Sequence, residues 1–160
     1  MNRKYDLNKY EEIIKRIREV RNDISISTDV IVGFPGETEE MFNETIETCK
    51  RLGFSKIHVF PYSERYGTKA ATMDNKIDSA TKKNRAKKLI EVSKILEIEY
   101  MEKFLGKEAE VLIEETADGT SYGHTSNYIH VKIKNTLEHN KSYKVILESV
   151  EYPYMNGILK

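Results

Sequence analysis

The order of hydrophobic and polar positions predicts alternating helices and strands in the first half of the chain. Apolar residues recur at helical spacing in residues 8–21 and 38–52, and β-branched residues are concentrated in residues 24–32 and 56–60. A strand, a helix and a second strand in this order form a right-handed unit with two parallel strands. We therefore expect both strands to end at the same edge of one sheet.

Capping residues define the expected ends of these two helices. Asn8 and Glu11 have the spacing of an N-terminal capping box, and Gly53 is a C-terminal stop for the second helix. The apolar stripe of the second helix predicts five buried side chains: Met41, Phe42, Ile46, Cys49 and Leu52.

The pattern changes after Phe60, where a polar loop runs to about Ile77. A long helix is expected to begin at Asp78 or Ser79 and to end before Gly106. From residue 107 the period is two, with a turn at Asp118–Gly119, which is typical of a small antiparallel β-barrel. The predicted strands of this barrel are 109–113, 128–133, 143–150 and 155–159.

Composition excludes several classes of function. The 160 residues contain 26 basic and 26 acidic side chains, so no overall field attracts nucleic acid, and no apolar run could span a bilayer. With one cysteine, Cys49, and no signal peptide, the sequence predicts a cytoplasmic protein without a membrane partner. The four histidines lack ligand spacing, and no nucleophile has a recognisable base, so neither a metal site nor a catalytic residue is predicted.

The segment from Gly33 to Glu37 has two interpretations. It follows a buried strand and precedes a helix, so its glycines and Pro35 could simply close a tight connection. Alternatively, the turn lines a cofactor, because the carboxyl ends of strands and the N-termini of helices are where α/β proteins bind ligands. The residues alone leave both interpretations open.

Two further segments are ambiguous for RNA binding. Residues 82–88 are rich in lysine and arginine, and a solvated helix face is the favoured interpretation of such a run. Residues 121–128 combine tyrosines with hydrogen-bonding side chains, which fits either an ordinary β-hairpin or stacking on a base.

Motifs along the chain resemble the radical-SAM methylthiotransferases that modify tRNA. Residues 29–37 are similar to the GxIxGxxGE adenine motif of that family, with Asp29 in place of the first glycine. Residues 58–71 resemble the next strand and loop of the subgroup that acts on N6-threonylcarbamoyladenosine beside the anticodon. The signature of the C-terminal TRAM domain, a small RNA-binding barrel, resembles four residues here: Gly123, Thr125, Asn127 and Tyr128.

The resemblance implies a fold of two parts, α/β plus all-β. The first would be the C-terminal part of a partial (β/α) radical-SAM barrel, and the second a small antiparallel β-barrel of the OB-like TRAM type. The implied domains are the radical-SAM barrel part at 1–77, a connecting long helix at 78–106 and the TRAM RNA-binding barrel at 107–160.

The resemblance also implies cofactors and site residues. Family members hold a [4Fe–4S] cluster with a CxxxCxxC motif, which this sequence lacks. The implied contacts to S-adenosylmethionine (SAM) are Ile31, Gly33, Gly36, Glu37, Phe60, Pro61 and Arg3. The implied RNA contacts are Arg85, His124, Asn127 and Tyr128.

The implied function is that of the C-terminal portion of a tRNA methylthiotransferase, which adds a methylthio group to C2 of the modified adenosine. Met1 resembles an internal methionine of the family, so the rest of the enzyme is an expected partner together with the tRNA anticodon stem-loop. The alternatives are a stand-alone TRAM-type RNA-binding module without catalysis, and a remnant with exposed strand edges. The related isopentenyl-adenosine substrate is also left open.

Overall fold

Two parallel strands and three main helices alternate in the first part of the chain. The computed structural model describes residues 4–160. Along this part the order is α1 (Leu7–Val20), β1 (Ser27–Val32), α2 (Glu39–Leu52), β2 (Lys56–Pro61), a short 3-10 helix (Lys69–Thr72) and α3 (Ser79–Glu102). Strands β1 and β2 are parallel, with Ile31 opposite Phe60 and Val32 opposite Pro61. The predicted parallel pairing is therefore confirmed.

The helix ends agree with the expected capping chemistry except at α1. There Asp6 is the N-cap, because its carboxylate accepts the Lys9 N–H at 2.8 Å, so the capping box predicted at Asn8 is wrong. Thr38 caps α2, and Gly53 ends it in the left-handed conformation, with φ of +57°. The Asp78 carboxylate accepts the Thr81 N–H at 2.9 Å at the start of α3.

The core of this first part contains Val32, Phe42 and Leu89, each fully buried. The prediction that Met41 is also buried is wrong, because its side chain is 55% exposed. Because successive helical residues are about 100° apart, Met41 lies beside the stripe that begins at Phe42, not on it. No helix in the described part of the chain is both long and apolar enough to cross a membrane.

The second part of the chain is a closed five-stranded barrel. Its strands are β3 (Glu108–Ala117), β4 (Thr120–Thr125), β5 (His130–Ile133), β6 (Ser142–Glu151) and β7 (Tyr154–Leu159). The order round the barrel is β3-β4-β5-β7-β6. Four of its neighbouring pairs are antiparallel, but β5 and β7 are parallel. The purely antiparallel prediction is corrected here, because five strands in a closed ring cannot alternate direction throughout.

The chain divides into two compact units. The first contains the residues up to Asn22 together with Ile26–Glu97, and the second contains Asp23–Ser25 and Ile98–Lys160. The described structure is thus mixed α/β followed by a mainly antiparallel β-barrel, as predicted at that level. Membership of the first unit in a larger radical-SAM barrel stays a prediction.

Candidate functional site

The connection between β1 and α2 is a tight turn whose backbone groups are hydrogen-bonded within the protein. Gly33 and Gly36 have φ of +72° and +84°, a region that glycine enters without strain. The Gly36 N–H donates to the Asn75 carbonyl at 2.9 Å, and the Glu37 N–H donates to the Phe34 carbonyl at 2.9 Å. The conformation of the turn is therefore fixed by one hydrogen bond within the turn and one to the loop that precedes α3.

Glu37 fixes the first residue of this turn through its side chain. Its Oε2 atom accepts the Gly33 N–H at 2.7 Å and also accepts from Arg85 Nη1 at 2.6 Å. The same Nη1 donates to the Glu37 carbonyl at 3.0 Å, and Nη2 donates to Glu39 Oε2 at 3.2 Å. The Glu37 and Arg85 side chains are only 13% and 6% exposed, so this is a largely desolvated ion pair.

Lys82 covers the turn from α3, three residues before Arg85. A Cβ added at Gly33 would lie 2.2 Å from Lys82 Cγ, so the lysine stem occupies the space that any other residue would need. Lys82 Nζ donates to the Tyr62 carbonyl at 3.3 Å. Lys82 and Arg85 are three residues apart, so they lie on one face of α3. This spacing is the sequence signal that could have predicted that both side chains contact the Gly33–Glu37 turn.

A cavity of about 570 Å³ lies beside this turn, at the carboxyl ends of β1 and β2. Ile31 and Phe60 stand opposite each other in the two strands and are 39% and 50% exposed, which is unusual for large apolar side chains at a sheet. The structure brings together three of the predicted SAM contacts in its wall: Ile31, Phe60 and Pro61. The remaining described ones, Gly33, Gly36 and Glu37, form the turn that carries Phe34 into that wall.

The chemical character of the cavity suits a flat organic group. Phe34 and Tyr62 meet edge to face with ring centroids 5.3 Å apart, and both line the cavity. The Tyr62 hydroxyl is buried and has no hydrogen-bond partner among the described residues. Because buried polar groups are nearly always hydrogen-bonded, this hydroxyl is a candidate ligand contact. The predicted contact Arg3 lies outside the described residues.

The residues predicted to contact RNA are found in different surroundings. Tyr128 is 83% exposed in the connection between β4 and β5, where its φ is +62°, so the strand predicted to begin there starts later, at His130. Asn127 Oδ1 accepts from the Thr125 hydroxyl at 2.7 Å. His124 Nδ1 lies 2.7 Å from Glu114 Oε2. Arg85 is in the first unit, where it forms the largely buried ion pair with Glu37 described above.

The chain does not fit an iron–sulfur cluster. Such clusters are held by several cysteine thiolates, and the sequence has Cys49 alone. This side chain is 3% exposed on α2, and burial raises the pKa of its thiol to about 11. Cys49 is thus a small core residue, as the sequence predicts, and not a metal ligand.

Cys49 is expected to react slowly with thiol reagents while the first unit is folded. At pH 8 the buried thiol is almost wholly protonated, whereas an unfolded cysteine with a pKa near 8.5 is partly ionised. Alkylation by iodoacetamide, followed by mass spectrometry, should therefore be at least tenfold slower in native buffer than in urea. Equal rates in the two solvents would contradict the burial of this residue.

Comparison with known proteins identifies relatives of the chain. No family model matches it. It is 37% identical to the threonylcarbamoyladenosine tRNA methylthiotransferase MtaB of Bacillus subtilis, over 98% of the chain and 36% of that protein. It is 35% identical to the MtaB of Thermotoga maritima, over 91% of the chain and 34% of that protein. The tRNA-2-methylthio-N(6)-dimethylallyladenosine synthase of Thermoanaerobacter sp. is 47% identical, over 71% of the chain and 24% of the relative.

The chain spans only about a quarter to a third of the length of these relatives. The matched region is their C-terminal part, which is the portion that the motifs predicted. The resemblance stated from the sequence is therefore confirmed. By homology to that C-terminal part, the chain belongs to the family of the tRNA methylthiotransferases.

Proposed function

We propose that the chain supplies one wall of a SAM site and an RNA-binding barrel to a radical-SAM tRNA methylthiotransferase. The observation that carries the proposal is the cavity at the carboxyl ends of β1 and β2, with Ile31 and Phe60 exposed in it. This is the edge at which (β/α) barrels hold their substrates and cofactors. The first unit would then be the C-terminal part of a partial barrel.

Each residue of the site has a distinct role in this proposal. Ile31 and Phe60 provide apolar contacts for the adenine ring, and the buried Tyr62 hydroxyl provides a hydrogen bond. Glu37 and Arg85 do not touch the ligand but hold the turn that carries Phe34. Because Arg85 is 5% exposed, we assign it to positioning in place of the RNA contact that the resemblance implies.

In the family that the sequence resembles, SAM bound beside an iron–sulfur cluster supplies the radical that activates C2 of the adenine. The ligands of that cluster would have to lie outside this chain, because Cys49 is buried and alone. Relatives named for threonylcarbamoyladenosine and for dimethylallyladenosine both match. We infer the threonylcarbamoyl substrate, since the MtaB of B. subtilis matches 98% of the chain.

The second unit is proposed to be the TRAM domain that binds the anticodon stem-loop. Its strand order, with the fifth strand between the third and fourth, is that of an OB-like barrel, a fold that commonly binds oligonucleotides. Tyr128, 83% exposed beside Asn127, provides a ring for contact with a base.

Binding of SAM tests the first half of the proposal. The change Ile31→Ser removes apolar contact area from the cavity, and burial of such a side chain is worth roughly 1.5–3 kcal/mol, so SAM affinity should fall by about tenfold or more. The measurement is isothermal titration calorimetry of the purified chain with SAM. The matched control is Ile90→Ser, because Ile90 is an exposed isoleucine of α3 that does not line the cavity.

A second candidate function is an RNA-binding module without catalysis. The observation that favours it is that the chain has a single cysteine, Cys49, which is buried. In that case SAM would not bind measurably, and both isoleucine variants would behave as the unchanged chain. RNA binding by the barrel would remain. SAM binding that is measurable and falls in Ile31→Ser would therefore support the first function and exclude the second.

A further inference from the structure

Four rings lie side by side on the outside of the barrel, and we call them the ring face: Tyr122, His124, His130 and Tyr154. The imidazoles of His124 and His130 are stacked, with centroids 4.3 Å apart and planes within 10°. Tyr154 continues the row 4.4 Å from His130, and its ring is 5.3 Å from that of Tyr122. Aromatic surfaces thus extend across three neighbouring strands.

Strand alternation explains why these rings share one side of the sheet. In β4 the residues that point into the barrel are Ser121, Gly123 and Thr125, so Tyr122 and His124 point outwards. The register then places His130 opposite His124 and Lys132 opposite Tyr122. All four side chains are partly exposed, so the row of rings is open to solvent along part of its surface.

Hydrogen-bonding groups accompany the rings in the adjacent row. Lys132 and Asn156 are paired in β5 and β7, next to Tyr122. Lys132 Nζ lies 2.7 Å from Glu151 Oε1, and the Asn156 amide donates to the Ser149 hydroxyl at 2.8 Å. Both side chains are hydrogen-bond donors on the same side of the sheet as the rings.

We propose that the ring face is a stacking site for unpaired RNA bases; this inference rests on the proposed binding of tRNA by the barrel. Stacking platforms for single-stranded nucleic acid combine aromatic side chains with a few polar groups, which is the composition of this face. The second and third strands of OB-like barrels form their oligonucleotide surface, and β4 and β5 are the second and third strands here.

The charge of the barrel favours bases over phosphates as the bound groups. Residues 107–160 contain more Asp and Glu than Lys, and no Arg. The barrel therefore has few cationic side chains with which to bind phosphates. The alternative role for the rings is cross-strand packing alone, which would affect stability without affecting RNA. The two roles predict different results for the same substitutions.

The experiment measures binding of the whole chain to a short RNA stem-loop with 2-aminopurine in its loop, by fluorescence anisotropy, beside a blunt RNA duplex of equal length. Removal of a stacked ring costs about 1–3 kcal/mol per base, so Tyr154→Leu should weaken stem-loop binding by about 5- to 150-fold. Tyr154→Phe keeps the ring and should bind within about twofold of the unchanged chain. The duplex should bind weakly to all three proteins.

A histidine pair provides the matched control. His130→Ala removes a ring of the stack and should lose affinity, whereas His139→Ala removes an exposed histidine outside the ring face and should not. Thermal melting of each variant separates folding from binding. If the chain binds the stem-loop and Tyr154→Leu leaves the affinity unchanged, the ring face is not the site, although tRNA binding stands. If the unchanged chain binds no RNA, the inference and the proposed RNA function both fail.

Discussion

Replacement of Arg85 by methionine is expected to lower the free energy of unfolding of the first unit by about 3–5 kcal/mol. The change leaves the Glu37 carboxylate largely buried without its cation, and removal of one partner from a buried ion pair carries a cost of this size. Urea titration, with alkylation of the buried Cys49 as the reporter, measures the loss in this unit alone.

The matched control for this prediction is Lys88→Met in the same helix. Lys88 Nζ is 3.5 Å from Glu39 and both side chains are half exposed, so its loss should cost less than about 1 kcal/mol. The double variant Arg85→Met with Glu37→Met should lose less than the sum of the two single changes, because neither charge is then left unpaired. Equal stabilities for Arg85→Met and Lys88→Met would show that the buried pair contributes little.

Gly123→Ala is expected to destabilise the barrel by about 3 kcal/mol, near the upper end for overpacked sites. A Cβ at this position would lie 1.9 Å from the Leu112 carbonyl oxygen in the adjacent strand. The obstacle is backbone, which cannot rotate away as a side chain would, so β3 and β4 must separate. Circular dichroism at increasing temperature measures the loss.

Gly119→Ala separates the effect of space from the effect of backbone conformation. Gly119 has φ of +75° in the turn between β3 and β4, and an added Cβ would meet nothing within 4 Å. Its replacement should cost only about 1 kcal/mol, the usual price of the left-handed conformation for alanine. If Gly123→Ala and Gly119→Ala have the same melting temperature, the close approach of the two strands at Gly123 does not contribute to the stability of the barrel.

The parallel strands and the glycine turn could be predicted because their signals are local. An apolar run that stops at Gly33, followed by a helix with a capping residue, contains its own boundaries. The role of Arg85 could not be predicted in this way. Its partner Glu37 lies 48 residues earlier, and a charged residue within a basic run has the same local pattern whether it is solvated or buried.

The bounds and the inward face of strand β4 could not be predicted within the expected hairpin, because its inward side chains are not hydrophobic. Ser121 is fully buried, and its hydroxyl donates to the Asn135 carbonyl at 2.7 Å and accepts the Leu137 N–H at 3.0 Å. Gly123 and Thr125 complete that inner row. An alternation of small polar residues with rings has no hydrophobic period, so only the tertiary pairing reveals which side faces the core.

The hydrogen bonds inside the Gly33–Glu37 turn also decide which ligands it would turn away. The amide groups of Gly33, Gly36 and Glu37 already donate to protein oxygens, and a carboxylate stands among them. These three amides are therefore not available to an anion, although they lie just before the start of a helix, where free amides commonly bind phosphate. In the proposed function the ligand is therefore recognised by the apolar wall and the Tyr62 hydroxyl, not by these amides, and the uncharged adenine ring of SAM suits such a surface.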